Sequence, residues 1–495
     1  MTVDLQLRAM TSPGHASHIT AWPVDFDLLI IGTGGAGVAA AIQGVGMGRT
    51  VAIAEQATLG GTCVNVGCIP SKALIEAAAH VHAARRGFPG IAPAELTVDW
   101  AAVVKAKDAL VTQLRQEKYA DVLASYPGLV RLDGHATLLA REDGVVRVRV
   151  GDAEHAARKV IVATGTTPAL PPLPGLADVD ALDSTSAMAL TSLPASLLVL
   201  GGGAVGVELG QLFARFGVQV TIVQRGPQLL PGEDGAVVAL LRASLEAEGI
   251  AVHTGTEAMR VERGDAGVVM HVRRGQLAGH LSAERLLVAT GRVAVSDALG
   301  LEAVGVERTA RGHVRVDLSM RTSNPDIYAA GDVTGGPQYV YVAAAGGRAA
   351  AENALNSLSP GDIPRVLDLS VVPRVTFASP QVASVGRTEA AARAEGLAVD
   401  VSVLDMGQLP RALVAHDSRG FVKVVAESGS GRILGVHAVS THAGELMGEA
   451  ALAVRFGLTH RDLAGTLHAY LTWGESMKLA SQGFASDVSK LSCCA

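Results

Sequence analysis

The chain has 495 residues, of which 49% are hydrophobic and 18% are charged, and its formal net charge is −6. This composition is typical of a globular protein of about two to four domains and excludes a disordered chain. No basic tract could neutralise a phosphate backbone, so we expect no nucleic-acid partner and instead a small molecule. The longest apolar runs are broken by glycines and are shorter than the ~20 residues of a membrane-spanning helix, so we expect no membrane span.

The N-terminal residues 1–24 contain no basic segment followed by an apolar core, which argues against a secretory signal. We therefore predict a cytoplasmic protein whose first residues form a flexible arm, with weak metal binding by His15 and His18 as the alternative. The four cysteines are too few for the disulphide framework of a secreted protein. In a reducing compartment, paired cysteines are more often catalytic or metal-binding than structural.

The first strong pattern in chain order is FDLLIIGTGGAGVAAAI. Its apolar run, glycine-rich turn and alanine-rich stretch predict a strand, a tight turn and a helix. Gly32, Gly34 and Gly37 form a GxGxxG motif, whose glycines let the backbone approach a pyrophosphate at the helix N-terminus. Glu55, 23 residues after Gly32, is placed to accept hydrogen bonds from an adenosine ribose. This fold suits FAD or NAD, with close helix packing as the alternative explanation of the glycines.

The next segment, GGTCVNVGCIPSK, contains Cys63 and Cys68 at the start of a predicted long helix. Their spacing places both sulfurs on nearly one face of a helix. A helix N-terminus favours the thiolate over the thiol, so the pair is expected to be nucleophilic. The sequence thus predicts a redox-active pair, while a metal clip and two buried core cysteines remain as alternatives.

A second copy of the strand, turn and helix pattern follows in SLLVLGGGAVGVELGQLF, with Gly201, Gly203 and Gly206 in GxGxxG spacing. Two copies predict two dinucleotide sites, and therefore electron transfer between two cofactors. The residue that corresponds to the ribose-binding acid is the neutral Gln224, and Arg225 follows it. A neutral side chain beside a cation suits a ribose that carries a 2′-phosphate, so this site is predicted to bind NADPH. A solvated surface arginine is the alternative.

The cysteine segment resembles the redox-active segment of the pyridine nucleotide-disulphide oxidoreductases, and the likeness extends over nearly the whole chain after the arm. VATGTTP and VATGR resemble the family's two crossings between domains, and NPDIYAAGDVT resembles its second FAD segment. The resemblance implies that Asp332 binds the ribityl or phosphate region of FAD. It implies that Cys68 is the thiolate against the flavin ring and Cys63 the exchanging thiol. It also implies that Lys72 and Glu208 pair near flavin N5, although each could be a surface charge on sequence alone.

The C-terminal part departs from the disulphide reductases of this family, which carry a His-Pro-Thr segment followed by Glu. The equivalent segment is LHAYLTWGE, with Tyr470 at the His position, Leu471 at the proline and Glu475 retained. Nearby His468 is interpreted as structural. Because the acid-base histidine is missing, we expect poor reduction of organic disulphides.

The chain ends in SKLSCCA, with Cys493 and Cys494 side by side. Together with Tyr119 and Tyr470, this tail resembles the members of the family that reduce Hg(II), a soft ion that prefers thiolate ligands. The resemblance implies a metal pocket with both tyrosines and a homodimer whose active sites are shared between subunits. It further implies that the tail of one subunit takes thiol-bound Hg(II) and passes it to the redox pair of the other. NADPH would then be expected to reduce Hg(II) to Hg(0) through FAD, which detoxifies mercury.

Three alternative functions remain at this stage. The first is a disulphide reductase of the dihydrolipoamide dehydrogenase or thioredoxin reductase type. The second is a reductase of another soft or oxidised metal species, and the third is a thiol-rich protein that only sequesters metal.

The predicted fold class is α/β, with two Rossmann-like dinucleotide-binding domains and an α+β C-terminal dimerisation domain. One nucleotide domain is inserted in the other, so the chain is expected to return to the first domain. The predicted bounds are 1–24 for the arm, 25–168 and 293–366 for the FAD domain, 169–292 for the NADPH domain and 367–495 for the dimerisation domain.

Overall fold

The computed structural model describes residues 24–142, 144–265, 267–356 and 363–490. Nearly all of the predicted arm, and also Cys493 and Cys494, lie outside the described residues. The described part is a mixed α/β structure with mostly parallel sheets first and an antiparallel sheet last, which confirms the predicted fold class.

The order of elements changes along the chain from alternating strands and helices to an antiparallel sheet with flanking helices. The strands are β1 (Phe26–Ile31), β2 (Val51–Glu55), β3 (Leu129–Asp133), β4 (Ala136–Glu142), β5 (Val145–Val150), β6 (Ala153–Val162), β7 (Thr166–Pro168), β8 (Ser196–Leu200), β9 (Gln219–Val223), β10 (Ala251–His253), β11 (Glu257–Gly264), β12 (Gly267–Arg274), β13 (Leu277–Ala283), β14 (Arg285–Val288), β15 (Arg292–Ala294), β16 (Ile327–Ala329), β17 (Arg374–Thr376), β18 (Gln381–Gly386), β19 (Val399–Asp405), β20 (Phe421–Glu427) and β21 (Ile433–Ser440). The helices are α1 (Gly35–Gly46), α2 (Gly61–Val66), α3 (Cys68–Arg86), α4 (Trp100–Arg115), α5 (Asp121–Ala124), α6 (Ser184–Met188), α7 (Ala204–Arg215), α8 (Gly235–Ala247), α9 (Val340–Asn356), α10 (Glu389–Ala394), α11 (Pro410–Val414), α12 (Met447–Arg455), α13 (His460–Gly465) and α14 (Glu475–Gln482).

The first sheet has the strand order β3-β2-β1-β6-β5-β4, and β16 also pairs with β6. β3, β2, β1, β6 and β16 are parallel, so their carboxyl ends meet at one edge. Ile30 of β1 lies between Ile53 of β2 and Ile161 of β6, and all three side chains are fully buried. Helices α1 and α9 cover this apolar face. The packing brings the glycine-rich turn after β1 next to the end of β2, where ligands bind in such sheets.

The second nucleotide fold is a four-stranded parallel sheet in the order β10-β9-β8-β14. Val199 of β8 pairs with Ile222 of β9, and both side chains are fully buried beneath α7 and α8. The antiparallel strands β11, β12 and β13 pack on its other face. This arrangement repeats the first fold and places the second glycine-rich turn beside the end of β9.

Two short strands, β7 and β15, connect the nucleotide folds and pair antiparallel with each other. After β15 the chain rejoins the first sheet, because β16 pairs with β6. This order is that of one nucleotide domain inserted in another, while the individual boundaries stay a prediction.

The C-terminal domain is built on an antiparallel sheet in the order β17-β18-β21-β20-β19. Helices α12 and α14 pack on the sheet and bury one face of it. Large apolar side chains of this domain are exposed in the single chain: Leu452 by 56%, Phe456 by 69% and Leu467 by 95%. Such exposure is typical of a surface that contacts another protein. Among the described residues, no helix is both long enough and apolar enough to span a membrane.

Candidate active site

The turn after β1 is held against the sheet so closely that only glycine fits. Gly32 has a φ of +106°, and a Cβ there would lie 2.5 Å from the carbonyl oxygen of Ala163. A Cβ on Gly37 would lie 1.8 Å from the carbonyl oxygen of Gly32. Gly34 is the N-cap residue of α1 and provides no side-chain cap, so the backbone N–H groups of the first turn of α1 are available to an anion. This cradle fits the pyrophosphate of FAD.

Glu55 is fixed at the end of β2, beside this turn. One carboxylate oxygen accepts hydrogen bonds from the Thr33 hydroxyl and from the Thr33 N–H, the latter at 3.2 Å. The other oxygen accepts the Ala57 N–H at 2.9 Å. The Thr33 hydroxyl also accepts the Gly60 N–H at 3.1 Å, so the nucleotide turn is tied to the segment before α2. Sequence reasoning missed Thr33, which occupies a variable position of the glycine motif.

Asp332 follows β16 at the crossing between the two nucleotide folds. Its carboxylate accepts a hydrogen bond from the Thr166 hydroxyl at 3.2 Å, and burial raises the pKa of this carboxyl group. The Arg292 guanidinium donates to the same hydroxyl and to the Thr166 carbonyl, at 2.7 Å each. This group of polar side chains fits the ribityl and phosphate oxygens of FAD, and sequence reasoning did not find Thr166 or Arg292.

Cys63 and Cys68 lie on two helices rather than on one. Cys63 is in α2 and Cys68 begins α3, with Gly67 between the helices at φ −127° and ψ −107°. The single helix that the spacing suggested is therefore interrupted, because Gly67 leaves the helical conformation. The bend still brings the two thiols into hydrogen-bond contact, with Cys63 partly buried and Cys68 exposed.

The two thiols of this pair differ in acidity. The hydrogen bond from Cys63, followed by the positive charge of Lys72, outweighs burial and lowers the pKa of Cys68 to about 7. The same hydrogen bond, together with burial, raises the pKa of Cys63 well above its usual range. Near pH 7 the proton of Cys63 therefore stays in place, while about half of the Cys68 groups are thiolates, and this fraction rises with pH. A thiolate is the nucleophile and the metal ligand.

Lys72 and Glu208, which are 136 positions apart in the sequence, form an ion pair at 2.8 Å. Lys72 lies on α3, one turn after Cys68, and Glu208 lies on α7, where it is 7% exposed. The other Glu208 oxygen accepts the Phe377 N–H at 2.9 Å, and the Lys72 ammonium lies 4.6 Å from the centre of the Phe377 ring. Sequence reasoning missed Phe377, because no local pattern marks it.

Tyr119 lies in a π-helical turn, Gln116–Ala120, between α4 and α5. Such turns are frequent at functional sites. Its ring packs on Gly60, where an added Cβ would lie 3.3 Å from Tyr119 Cγ. Burial, followed by the negative charge of Cys63 and Cys68, raises the pKa of the Tyr119 hydroxyl. Tyr119 is therefore a neutral hydroxyl near the thiol pair.

Asn65, between the two cysteines, is a further residue that sequence reasoning missed. Its amide donates to the carbonyl groups of Leu59 and Gly61 at 2.9 Å each, and its oxygen accepts from Arg115 at 3.2 Å. Its position inside the cysteine motif was a signal for this role. These bonds fasten α2 to the end of α4.

Tyr470 lies in the loop between α13 and α14 on the C-terminal domain and is 48% exposed in the single chain. The next residue, Leu471, has a φ of +59°, a conformation that costs of order 1–3 kcal/mol for a side chain of this type. Nearby His468 contacts Glu449 at 2.8 Å and the Thr466 carbonyl at 3.0 Å, as expected of a structural histidine. A metal site built from Tyr470 and the thiol pair of another subunit stays a prediction.

The second glycine-rich turn has the same geometry as the first. Gly201 has a φ of +116°, and a Cβ on Gly206 would lie 1.9 Å from the Gly201 carbonyl oxygen. The Gln224 side chain accepts the Gly202 N–H at 3.0 Å, and Arg225 beside it is exposed. The turn can therefore hold a pyrophosphate, with a cation at the ribose end.

The chain is similar to known proteins over most of its length. Residues 26–347 match the family described as pyridine nucleotide-disulphide oxidoreductase, and residues 372–481 match its dimerisation domain. The chain is 45% identical to mercuric reductase of Streptomyces lividans over 95% of this chain and 98% of that protein. It is 42% identical to mercuric reductase of Bacillus cereus over 95% of this chain and 73% of that protein. Among solved structures, the HOCl-induced flavoprotein disulfide reductase RclA from Escherichia coli has a TM-score of 0.81 and 29% identity, and the match covers 92% of this chain and 99% of that chain.

Proposed function

Since the chain belongs to the pyridine nucleotide-disulphide oxidoreductases and, among them, to the mercuric reductases, we propose that it reduces Hg(II) at the Cys63–Cys68 pair. The protein is an NADPH-dependent mercury(II) reductase that uses FAD and detoxifies mercury. Its dimerisation domain makes it a homodimer. We also propose a cytoplasmic location.

The observation that carries the assignment of the site is the hydrogen-bond contact between the two thiols, beside the Lys72 ammonium. The resemblance implied Cys63 as the exchanging thiol, but the lower pKa of Cys68 favours its thiolate for the first attack on a thiol-bound Hg(II) ion, because this soft ion prefers sulfur ligands. Cys63 then binds as the second ligand, and its proton passes to the departing thiolate. The exchange turns one bis-thiol complex and the protein pair into a protein-bound Hg(II), one free thiol and one free thiolate. It needs no acid-base histidine, in agreement with Tyr470 at the position where the disulphide reductases have one.

Reduction of the bound ion takes two electrons and leaves Hg(0) and two thiolates. Bound FAD, itself reduced by NADPH, supplies those electrons. Lys72 places its positive charge beside Cys68 and stabilises the thiolate that the departing Hg(0) leaves behind. Glu208 fixes the ammonium at 2.8 Å.

The residues proposed to hold FAD are those of the first nucleotide fold and of the crossing. Gly32, Gly34 and Gly37 give the pyrophosphate access to the N-terminus of α1. Glu55 accepts from the ribose hydroxyls, and Asp332 lies where the ribityl or phosphate oxygens would approach the crossing.

The second fold is proposed to bind NADPH through Gly201, Gly203 and Gly206. Gln224 adds no charge that would repel a 2′-phosphate, and the exposed Arg225 attracts it. The tight packing of Gly206 on Gly201 supports this assignment, since it opens the N-terminus of α7 to a phosphate.

Delivery of the ion is proposed to depend on Cys493 and Cys494, which lie outside the described residues. In the homodimer the tail of one subunit would take Hg(II) from solvent thiols and pass it to the redox pair of the other. Tyr470 would line the pocket from the partner's side and Tyr119 from the side of the thiols. The position of Tyr470 on the dimerisation domain, in a strained loop, supports this arrangement.

The assay that tests the function measures NADPH oxidation with Hg(II) and excess thiol, and separately with oxidised glutathione, lipoamide and thioredoxin. Rapid turnover is expected with Hg(II) alone. Faster turnover with any of the three disulphides would overturn the assignment in favour of a disulphide reductase. Stoichiometric binding of Hg(II) without turnover would indicate sequestration.

The shared site is tested by mixing a Cys63→Ala chain with a chain that carries both Cys493→Ala and Cys494→Ala. Each variant is expected to be inactive with glutathione-bound Hg(II), and exchange of subunits should restore activity in heterodimers with one complete site. If mass spectrometry confirms exchange and activity does not return, the tail acts within its own subunit or has no part in delivery.

A further inference from the structure

The Lys72–Glu208 pair is held by a third element, the segment Phe377–Ser379 that follows β17 in the dimerisation domain. Glu208 divides its two oxygens between Lys72, on the redox helix α3, and the backbone N–H of Phe377. Glu208 is only 7% exposed, so these two contacts account for both oxygens of a carboxylate that is mostly withdrawn from water. The orientation of Glu208 thus depends on where the dimerisation domain places this segment.

Gln211, one turn after Glu208 on α7, fixes the register of that segment. Its amide donates to the Ser379 carbonyl and accepts the Ser379 N–H, each at 2.8 Å. Gln211 is 3% exposed, and its amide also donates to Glu248 at 3.1 Å. A side chain that both donates to and accepts from one residue cannot slide along the backbone without breaking a bond. α7 and the segment therefore keep one relative position.

The Phe377 ring completes the enclosure of the ammonium. Lys72 Nζ lies 4.6 Å from the ring centre, within the ~6 Å at which the face of an aromatic ring attracts a cation. The ring is 37% exposed, so it is not a core side chain whose main effect is burial of apolar surface. The cation faces the ring on one side and Glu208 on another.

We propose that Phe377 is a positioning residue for the redox centre: its ring and the Gln211-bound backbone hold the Lys72 ammonium at the flavin end of α3. The dimerisation domain thereby acts on the electron-transfer site of its own subunit. This inference depends on the proposed role of Lys72 beside FAD, where a nearby positive charge stabilises the reduced cofactor.

The test is the two-electron midpoint potential of bound FAD, measured without Hg(II) in the purified holoenzyme. Phe377→Leu keeps the backbone N–H and much of the bulk but removes the aromatic face, and Phe377→Tyr keeps the face. Loss of a cation–π contact of this kind corresponds to about a two- to fivefold change in an equilibrium constant. With about 30 mV per tenfold change for a two-electron couple, Phe377→Leu should lower the potential by about 10–20 mV. Phe377→Tyr should restore the wild-type value.

Lys72→Met separates the two ways in which this result could fail. If Lys72→Met leaves the potential unchanged, the proposed role of Lys72 is wrong. If Lys72→Met lowers the potential and Phe377→Leu does not, the ring does not position the cation and the further inference is overturned. A lower melting temperature of Phe377→Leu at an unchanged potential would likewise show that the ring only packs.

The backbone part of the proposal has a readout that needs no cofactor. In Gln211→Met the amide N–H groups of Phe377 and Ser379 should exchange with deuterium faster than in the wild type. The Ser379 N–H loses its acceptor, and the Phe377 N–H is no longer held in a fixed position against Glu208. The amides of β18, after this segment, serve as the internal control. Unchanged exchange at both positions would show that other contacts hold the segment.

Discussion

The two glycine-rich turns have similar glycine φ angles and similar close contacts but differ in what covers them. Gly32 and Gly201 have φ values of +106° and +116°, and an added Cβ would lie 2.5 Å and 2.4 Å from the facing carbonyl oxygens. The first turn lies under α2, since a Cβ on Gly61 of this helix would lie 2.6 Å from the Cα of Gly34. At Gly203, the counterpart of Gly34, no described atom lies within 4 Å of an added Cβ.

This difference shows how one sequence motif can serve two kinds of nucleotide site. A turn that is closed by α2 suits a cofactor that stays bound, while an open turn suits a coenzyme that must bind and leave in each cycle. The residues at the ends of β2 and β9, the second strands of the two nucleotide folds, also differ in what they suit. Glu55 is held by Thr33 and fits a plain ribose, and Gln224 with the exposed Arg225 fits a phosphorylated one.

The largest effect is expected from the thiol pair of α2 and α3, the helices that follow the first turn. Cys63→Ser and Cys68→Ser should each abolish Hg(II) reduction while FAD stays bound and is still reduced by NADPH, because neither thiol contributes to the nucleotide cradles. Anaerobic NADPH titration should give a long-wavelength thiolate-to-flavin absorbance in the wild type and in Cys63→Ser but not in Cys68→Ser. Absorbance lost only in Cys63→Ser would show that the roles of the two thiols are reversed.

A matched pair of glycine substitutions tests directly whether the two turns bind different nucleotides. Gly37→Ala and Gly206→Ala each place a methyl group within 2 Å of a backbone oxygen, at 1.8 Å and 1.9 Å. Gly37→Ala should give a chain purified without FAD, as measured by the absorbance ratio of flavin to protein. Gly206→Ala should keep FAD but slow its reduction by NADPH by about 10- to 100-fold, as expected for overpacking of 1–3 kcal/mol. Loss of FAD from both variants would mean that the two folds do not bind independently.

A smaller effect is expected at the end of β9, where Gln224 and Arg225 lie. Gln224→Glu keeps an oxygen that can accept the Gly202 N–H but adds a charge that repels a 2′-phosphate. The ratio of kcat/KM for NADPH to that for NADH should fall by about tenfold, the size of one hydrogen bond to a charged group. Arg225→Glu is expected to change the ratio in the same direction. Equal kcat/KM for the two coenzymes in the wild type would contradict the assignment of this site.

The smallest effect is expected in the titration of Cys68, the first residue of α3. The pKa of Cys68 is lowered to about 7, so its thiolate is present above that pH and is lost as the pH falls below it. The rate of alkylation by iodoacetamide is measured in Cys63→Ala and in the wild type. In the wild type it should fall about twofold from high pH to pH 7, since half of the Cys68 groups are then protonated. The midpoint should move to higher pH in Cys63→Ala, because the hydrogen bond that favours the thiolate is removed. An unchanged midpoint would show that Cys63 does not set the acidity of Cys68.

The sequence by itself determined the parts of this protein that depend on local pattern. The buried runs before Gly32 and Gly201 predict strands, and the glycine spacing predicts turns that only glycine can form, so the two nucleotide folds could be read directly. The pair Cys63 and Cys68 was equally visible, because flanking glycines and close spacing distinguish it from core cysteines. The fold class followed from the order of these patterns.

The tertiary structure alone decided which distant residues meet. Lys72 and Glu208 are 136 positions apart, and Phe377 is 169 positions from Glu208, so no local signal links them. The break at Gly67 and the π-helical turn at Tyr119 depend on how α2, α3 and α4 pack together, a property that periodicity does not carry. The unequal acidity of the two thiols also arises only in three dimensions, because a hydrogen bond and a nearby cation act over ångströms rather than along the sequence.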